Sequence, residues 1–337
     1  MVARAAPSQD RANPEWPWCG FNASNEQIPP EQLLRDVEHA QRAGFGAAMC
    51  SDHLEPWSPH QGHSGFALSW LGAALATTDL PFGFVHAPGR HYHPVVTAQA
   101  TATLARMFPG RIWTALGSGQ KLNERAVTRD WPAKEHRQRF LESSFDAVRR
   151  LHAGEEVSCR EPFHADRARV WDPPEVLPAL RVAALTPATV RRFAPLADGF
   201  ITVQQPLEDL RRMLEAWREA GGTGRTALQV HLSWAPSPEQ ARAIAFDKWR
   251  NNVFDPVTMA ELASPQDYLR KAVQEDVGDE QIAGAVNVSA DLGRHAQWLH
   301  EYADLGFDEI YLHHVGQEQG RFLDAFGETV LPQLAQA

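Results

Sequence analysis

The sequence has few cysteines and no long apolar run. Its 337 residues include only three cysteines, Cys19, Cys50 and Cys159. Three unclustered thiols form neither a disulfide framework nor the ligand set of a zinc site, so we predict no metal ligands and a reducing compartment. No apolar run reaches the roughly 18 residues of a membrane span, and the polar start lacks the apolar core of a signal peptide. We therefore expect a cytoplasmic protein that does not enter a membrane.

The chain also lacks an excess of basic residues. Its 32 Lys and Arg stand against 42 Asp and Glu, which gives a formal net charge of −10. This charge repels a phosphate backbone, so nucleic acid is not an expected partner. With 43% hydrophobic and 22% charged residues, the composition is that of a globular protein with a large core. A small molecule is the expected substrate.

No Gly-x-Gly-x-x-Gly motif follows an early strand, which removes the main support for a Rossmann domain. Short apolar runs instead alternate with longer helical patterns, as in parallel strands joined by crossover helices. We predict an α/β fold, a (β/α)8 TIM barrel with insertions. The eight predicted strands are 18–22, 46–51, 80–85, 112–117, 181–184, 199–203, 227–233 and 309–313.

One barrel domain is predicted over residues 18–337, after an N-terminal extension of residues 1–17. Two stretches, about 154–178 and about 251–288, are longer than a simple strand and helix unit. We interpret both as insertions, because neither carries enough periodic apolar pattern for a separate core.

Helix boundaries are marked by glycine and proline. A glycine just past a helix favours a left-handed conformation, and a proline at the first helical position favours a helix start. The predicted left-handed glycines are Gly44, Gly110, Gly199 and Gly306, and the predicted helix starts are Pro94, Pro187 and Pro238.

Polar and aromatic residues follow the predicted strands at their carboxyl ends, where the reactive groups of a (β/α)8 barrel lie. The first strand runs into Glu26, the second into His53 and Trp57, and the fourth into Gln120. Neighbouring strands lie about 5 Å apart, so we expect these side chains to meet. The pattern predicts a catalytic site at this mouth of the barrel.

Several motifs together carry a family resemblance over nearly the whole chain. They are GFNASNEQ at 20–27, SDH at 51–53 with PW at 56–57, QGHS at 61–64, GSGQKLNE at 117–124, ADGF at 197–200 and RFL at 321–323. The sequence resembles the deazaflavin (coenzyme F420)-dependent glucose-6-phosphate dehydrogenase group of the bacterial-luciferase-like superfamily. Within that group it is most similar to a branch described as flavin oxidoreductases that do not use coenzyme F420.

The resemblance implies a flavin-type oxidoreductase and a role for each matching residue. His53 matches the base that accepts a proton as hydride passes to the cofactor ring, a role suited to an imidazole with an ordinary pKa of about 6.5. Glu26 shares its pocket, and Trp57 packs beside the ring. Phe84 and Val85 match a bulge that backs the ring. The other implied cofactor contacts are Asp52, Ala87, Ser118, Gly119, Asn123, Ala183, Ala184, Leu185 and Thr186.

Departures from the group bear on cofactor and substrate. Gln120 stands where the dehydrogenases have an acidic glutamate, and it cannot transfer a proton at neutral pH. This departure and the branch resemblance favour FMN, with coenzyme F420 as the alternative. The basic residues that hold the sugar phosphate are also missing, so we predict a substrate other than glucose 6-phosphate. The approximate matches are Gln205 or Pro206, Ala260 or Glu261, and Ala285.

Other functions stay open on the sequence alone. His91, His93 and the pair His313 and His314 allow a metal-dependent hydrolase on the same fold, and Gln120 allows a flavin-binding protein without turnover. The choice between monooxygenase and dehydrogenase or reductase is also open. We expect a homodimer, because relatives in the superfamily commonly pair through barrel helices.

Overall fold

The structure, a computed structural model, describes residues 18–89 and 91–334, so the predicted extension of residues 1–17 lies outside the described residues. A parallel sheet and an antiparallel hairpin contain the strands. The strands are β1 (Trp18–Ala23), β2 (Ala47–Ser51), β3 (Phe82–His86), β4 (Ile112–Leu116), β5 (Val157–Cys159), β6 (Ala165–Ala168), β7 (Ala179–Ala183), β8 (Gly199–Val203), β9 (Arg225–Trp234), β10 (Asn287–Ser289) and β11 (Glu309–His314).

Helices follow most strands and form an outer layer. Within the described ranges, none of them has both the length and the apolar character needed to cross a bilayer. The helices are α1 (Pro30–Arg42), α2 (Ala67–Thr77), α3 (Pro94–Met107), α4 (Lys121–Glu124), α5 (Lys134–His152), α6 (Pro187–Phe193), α7 (Leu207–Glu219), α8 (Pro238–Trp249), α9 (Pro256–Glu261), α10 (Pro265–Gln274), α11 (Asp279–Ala285), α12 (Leu292–Asp304), α13 (Gly320–Ala325), a π-helical segment (Phe326–Val330) and α14 (Leu331–Leu334).

Eight parallel strands close into a barrel in the order β1, β2, β3, β4, β7, β8, β9, β11 and back to β1. These are the eight strands predicted from the sequence, with ends that differ by at most two residues. The predicted (β/α)8 fold is therefore confirmed.

The glycine and proline signals act as predicted. Gly110 and Gly306, which follow helices, have φ of 73° and 95°. Pro187 begins α6 and Pro238 begins α8, where the hydroxyls of the preceding Thr186 and Ser237 accept hydrogen bonds from backbone amides at 3.3 Å. These local signals set where each crossover begins and ends.

The two long connections contain elements that the sequence did not predict. Residues 154–178 form the antiparallel hairpin β5–β6, and β10, at the end of the second stretch, extends the barrel rim by pairing with β9. Residues 251–288 also bring apolar side chains to a satellite cluster shared with α8. The satellite cluster is Ala245, Trp249, Ala272, Val277, Ile282, Val286 and Val315.

A buried ion pair closes the amino end of the barrel lumen. The Arg181 guanidinium donates two hydrogen bonds of 2.7 Å to the Glu309 carboxylate, and these side chains are 4% and 2% exposed. Tyr311 donates to the same carboxylate at 2.9 Å, and the guanidinium lies 4.0 Å from the Trp113 ring centre. These four side chains fill the amino end of the lumen.

Removal of this floor carboxylate should destabilise the fold. We expect Glu309→Ala to lower the free energy of unfolding by about 3–5 kcal/mol, because Arg181 is left as a buried, uncompensated charge. Urea denaturation followed by circular dichroism measures the change. Glu208→Ala is the matched control, since Glu208 forms an exposed pair with Arg211 on α7 and should change stability by less than about 1 kcal/mol. Equal effects of the two substitutions would contradict the assigned role of the floor.

Candidate functional site

The turn after β1 buries a carboxylate in the mouth of the barrel. Glu26 is 2% exposed. Its Oε2 accepts a hydrogen bond from the Ser24 hydroxyl at 2.7 Å, and its Oε1 accepts one from the Ser51 hydroxyl at 3.2 Å. His53 Nδ1, from the loop after β2, hydrogen-bonds to the same Oε1. Three partners from two neighbouring strand ends thus hold one carboxylate.

Burial and charge oppose each other in this pair. Burial lowers the pKa of His53, but the charge and hydrogen bond of Glu26 outweigh it, so the net shift is upward. For Glu26, burial raises the pKa, while the charge and hydrogen bond of His53 bring the net shift downward. The contact fixes Nδ1 as the donor to Glu26, which leaves Nε2 as the ring nitrogen available for proton transfer.

The remaining predicted catalytic residues lie around His53. The Trp57 ring centre is 4.8 Å from that of His53, and Tyr268 of α10 packs edge-on against Trp57 at 5.6 Å. The Gln120 amide lies within hydrogen-bonding reach of the imidazole. Glu26, His53, Trp57 and Gln120 therefore share one site, as the positions of their strands predict.

The predicted cofactor residues divide between the lumen and the surrounding layer. Val85 and Ala183 pack against the lumen cluster and are half-buried. Phe84 points the other way, into the apolar layer under the helices, where its ring stacks on His86. The implied bulge at Phe84 and Val85 is wrong for this structure, because β3 keeps an uninterrupted register with β2 and β4.

Small residues at the carboxyl ends of β3, β4 and β7 lie close together and leave a shallow recess. A Cβ added at Gly117 would lie 3.6 Å from the Cβ of Ala183, and one added at Gly119 would lie 3.8 Å from that of Ala87. Gly119 also has a left-handed φ of 81°. Larger residues would fill this recess. Of the other predicted cofactor residues, Ala184 is buried in the apolar layer under the helices and Thr186 caps α6, whereas Ser118 and Leu185 are half-buried in the loops after β4 and β7.

Asp52 and Asn123 support the loop that carries His53. The Asp52 carboxylate accepts a hydrogen bond from Ala67 N at the start of α2, at 3.3 Å. The Asn123 side-chain oxygen accepts one from Leu54 N at 2.9 Å. Both contacts are to backbone amides, so these side chains orient the loop beside the site.

A groove of about 1120 Å³ begins at Ser118 and continues between the loop after β4 and α5. Its walls carry charges of both signs and several backbone segments. The basic residues are Arg129, His136, Arg137 and Arg139, and the acidic residues are Glu124, Asp130, Glu142 and Glu161. Ser118, in the loop after β4, therefore borders a groove whose walls carry many charged side chains.

Two further histidines face the lumen, of which the sequence analysis considered His313 only as a possible metal ligand and did not consider His231. His231 on β9 and His313 on β11 are register partners whose Nδ1 atoms are 2.9 Å apart. Trp249 packs against both rings, with centres at 4.6 and 4.9 Å. The signal available in the sequence was alternation along β9, in which Ala227, Gln229 and His231 share the lumen face.

The metal-hydrolase reading has no ligand set in the part of the chain that the structure describes. No group of three His, Cys, Asp or Glu side chains there is arranged to hold a metal ion. His93 instead caps α3 by accepting a hydrogen bond from Val95 N at 3.2 Å. His313 is committed to His231 and to Gln27.

Comparison with known proteins identifies the family. The model of the family described as luciferase-like monooxygenase matches residues 16–309. The chain belongs to this family. A relative from Nakamurella multipartita, an F420-dependent glucose-6-phosphate dehydrogenase, is 34% identical over 328 residues, which cover 94% of this chain and 96% of the relative. The predicted family and oxidoreductase class are thereby confirmed.

Solved structures of this luciferase-like family share the fold. An F420-dependent secondary alcohol dehydrogenase in complex with an F420-acetone adduct aligns with a TM-score of 0.86 at 24% identity, covering 95% of this chain and 99% of that chain. The oxygenating constituent of 3,6-diketocamphane monooxygenase from Pseudomonas putida, in complex with FMN, aligns with a TM-score of 0.69 at 15% identity, covering 94% and 98%. At these identities the likeness establishes the fold.

Removal of the Glu26 charge should lower the pKa of His53. In Glu26→Gln the charge that raises the pKa of His53 most is removed while burial remains, so we expect a lower pKa than in the unmodified protein, where it lies above the ordinary value of about 6.5. NMR titration of the His53 ring measures both. Glu31→Gln on the exposed surface of α1 is the control and should leave the titration unchanged. A His53 pKa that stays the same or rises in Glu26→Gln would contradict this account of the pair.

Proposed function

We propose that this chain catalyses reversible hydride transfer between coenzyme F420 and an uncharged alcohol or its carbonyl product. The observation that carries the proposal is the buried Glu26 and His53 pair facing a lumen with apolar walls, with Trp57 packed against the imidazole. A general base that is largely withdrawn from solvent suits oxidation of an alcohol, in which a proton and a hydride leave together.

The protein supplies the proton chemistry and the positions. His53 Nε2 accepts the hydroxyl proton, while Glu26 holds the ring through Nδ1 and stabilises the imidazolium that forms. Trp57 restricts the substrate to the space beside His53. Coenzyme F420, when bound, would supply the acceptor for the hydride of the carbinol carbon. The residues that would hold it are Val85, Ala87, Gly117, Gly119 and Ala183, at the recess described above.

Coenzyme F420 replaces FMN as the preferred cofactor. The relatives that are 34% identical over nearly the full length are F420-dependent by name, whereas the FMN complex shares only 15% identity. The groove that begins at Ser118 gives room for the longer anionic side arm of coenzyme F420 beyond the recess. Gln120 is the observation that favours FMN, which we keep as the second candidate.

The substrate is proposed to be uncharged because, among the residues that the structure describes, the lumen face at the level of the site carries no Lys or Arg. Val85, Ala183, Val203 and Gln229 are uncharged, and burial lowers the pKa of His231 to about 3. A sugar phosphate would bring two negative charges into this space without compensation. The relatives act on glucose 6-phosphate by name, and the proposed substrate of this chain differs from theirs in having no phosphate.

A cofactor titration tests the assignment. We expect coenzyme F420 to bind at least about tenfold more tightly than FMN. Absorbance and fluorescence of the two cofactors measure their binding. Ser143→Trp narrows the groove and should weaken binding of coenzyme F420 while leaving FMN unaffected, because only the longer side arm enters the groove. Tighter binding of FMN would reverse the assignment of the cofactor.

Loss of the base should affect turnover and spare binding. We expect His53→Asn to lower kcat for alcohol oxidation by about 10²-fold or more, as for removal of a general base. The affinity for coenzyme F420, measured separately by fluorescence, should change little. His164→Asn, on the exposed hairpin, is the control with unchanged turnover. Equal turnover in His53→Asn and the unmodified protein would remove His53 from the mechanism.

A further inference from the structure

Hydrogen bonds determine which ring nitrogens of the paired histidines, His231 and His313, carry protons. The first of these hydrogen bonds involves Gln27. The Gln27 side-chain nitrogen donates to the carbonyl oxygens of His314 and Gly316, both at 2.8 Å. Two carbonyl acceptors fix the orientation of this amide, because an amide oxygen in that place would repel them. The Gln27 side-chain oxygen therefore faces His313 Nε2, 2.9 Å away.

The tautomers of the two rings follow from this contact. An amide oxygen only accepts hydrogen bonds, so His313 Nε2 carries a proton and donates it to Gln27. Burial lowers the pKa of both His313 and His231, and each ring is neutral. A neutral His313 protonated at Nε2 has a lone pair at Nδ1, which accepts the hydrogen bond from His231 Nδ1. His231 is then protonated at Nδ1 and has a lone pair at Nε2.

This lone pair is available to a ligand. His231 lies on the lumen face of β9 and is 8% exposed. No residue that the structure describes forms a hydrogen bond with its Nε2. This nitrogen is also not among the fully buried polar atoms of the described residues that lack a partner, so it is partly accessible. Half-buried Val203 and Ala183 line the same lumen. His231 Nε2 is thus an acceptor in a largely apolar wall.

The acceptor His231 Nε2 and the Glu26 and His53 pair are both positioned by the same turn, through the consecutive residues Glu26 and Gln27. Glu26 orients His53, and Gln27 orients His231 through His313. A second segment also contacts both histidine sites. Trp249 packs against the paired histidines, and the side chain of Asn251, two residues later, donates a hydrogen bond to the Trp57 carbonyl oxygen at 3.2 Å. Both imidazoles border the same mouth of the barrel.

We propose that His231 is a specificity-determining residue whose Nε2 accepts a hydrogen bond from a second hydroxyl of the substrate. The inference rests on the proposed function and narrows it: the substrate class is uncharged alcohols that carry at least one hydroxyl besides the reacting one. A substrate without the second hydroxyl leaves a buried acceptor unpaired, and sites built for a hydroxyl discriminate strongly against such analogues.

The kinetic test compares butane-2,3-diol with butan-2-ol as substrates of the protein loaded with coenzyme F420. We expect kcat/KM to favour the diol by about tenfold or more. His231→Leu should abolish the preference by slowing the diol alone, whereas His231→Gln, which retains an acceptor oxygen, should keep part of it. His39→Leu, on the outer helix α1, should keep all of it. A preference that survives unchanged in His231→Leu overturns the inference.

A second measurement is independent of turnover and of the variants. Nitrogen-15 NMR of the unmodified protein labelled at histidine reports which ring nitrogens carry protons. We expect His231 to be protonated at Nδ1 only, and its Nε2 resonance to shift on addition of the diol but not of butan-2-ol. Protonation of His231 at Nε2, or the absence of a shift with the diol, overturns the inference.

The two measurements separate the inference from the proposed function. If neither alcohol reduces coenzyme F420 while the diol still shifts the His231 Nε2 resonance, the proposed hydride transfer fails and the acceptor role stands. If both alcohols are oxidised equally well by the unmodified protein, the hydride transfer stands and the acceptor role fails.

Discussion

The closure of eight parallel strands into a barrel is the constraint on which the site depends. Because β1 hydrogen-bonds to both β2 and β11, strands from the two ends of the chain become neighbours. All eight strands point the same way, so their carboxyl ends form a single rim. The ion pair between Arg181 and Glu309 packs the opposite end. Side chains that follow different strands, such as Glu26 and His53, are thereby brought to the same place.

Within that rim, the partner of each histidine decides its charge. Three histidines are withdrawn from water, namely His53, His231 and His313. Burial by itself disfavours the charged form of the imidazole. His53 alone contacts a carboxylate, and its pKa rises, whereas those of His231 and His313 fall. One residue type therefore provides an imidazole with a raised pKa on one wall and imidazoles with lowered pKa values on the other.

The features that sequence predicts well are those set by local order along the chain. The strands follow from apolar runs, and Glu26, His53, Trp57 and Gln120 meet because they follow strands that any parallel barrel places in proximity. The contact between Gln27 and His313 could not be predicted, since it joins side chains 286 residues apart and depends on an amide orientation set by two carbonyl oxygens.

Strand β10 was missed because three residues carry too short a pattern. Phe84 was assigned to the ring although strand alternation directs it outward. The preference for FMN relied on Gln120, which bears on proton transfer more than on ring binding, and on the resemblance to one branch of the group.

The turn that contains Glu26 and Gln27 has a consequence for how this protein can diverge. Since adjacent residues orient histidines on two walls, any backbone shift in the turn disturbs both at once, and mutations there are pleiotropic. Val203 and Gln229 line the lumen without orienting either imidazole. Evolution or engineering of a new substrate range therefore has its accessible route through those positions, with the turn held constant.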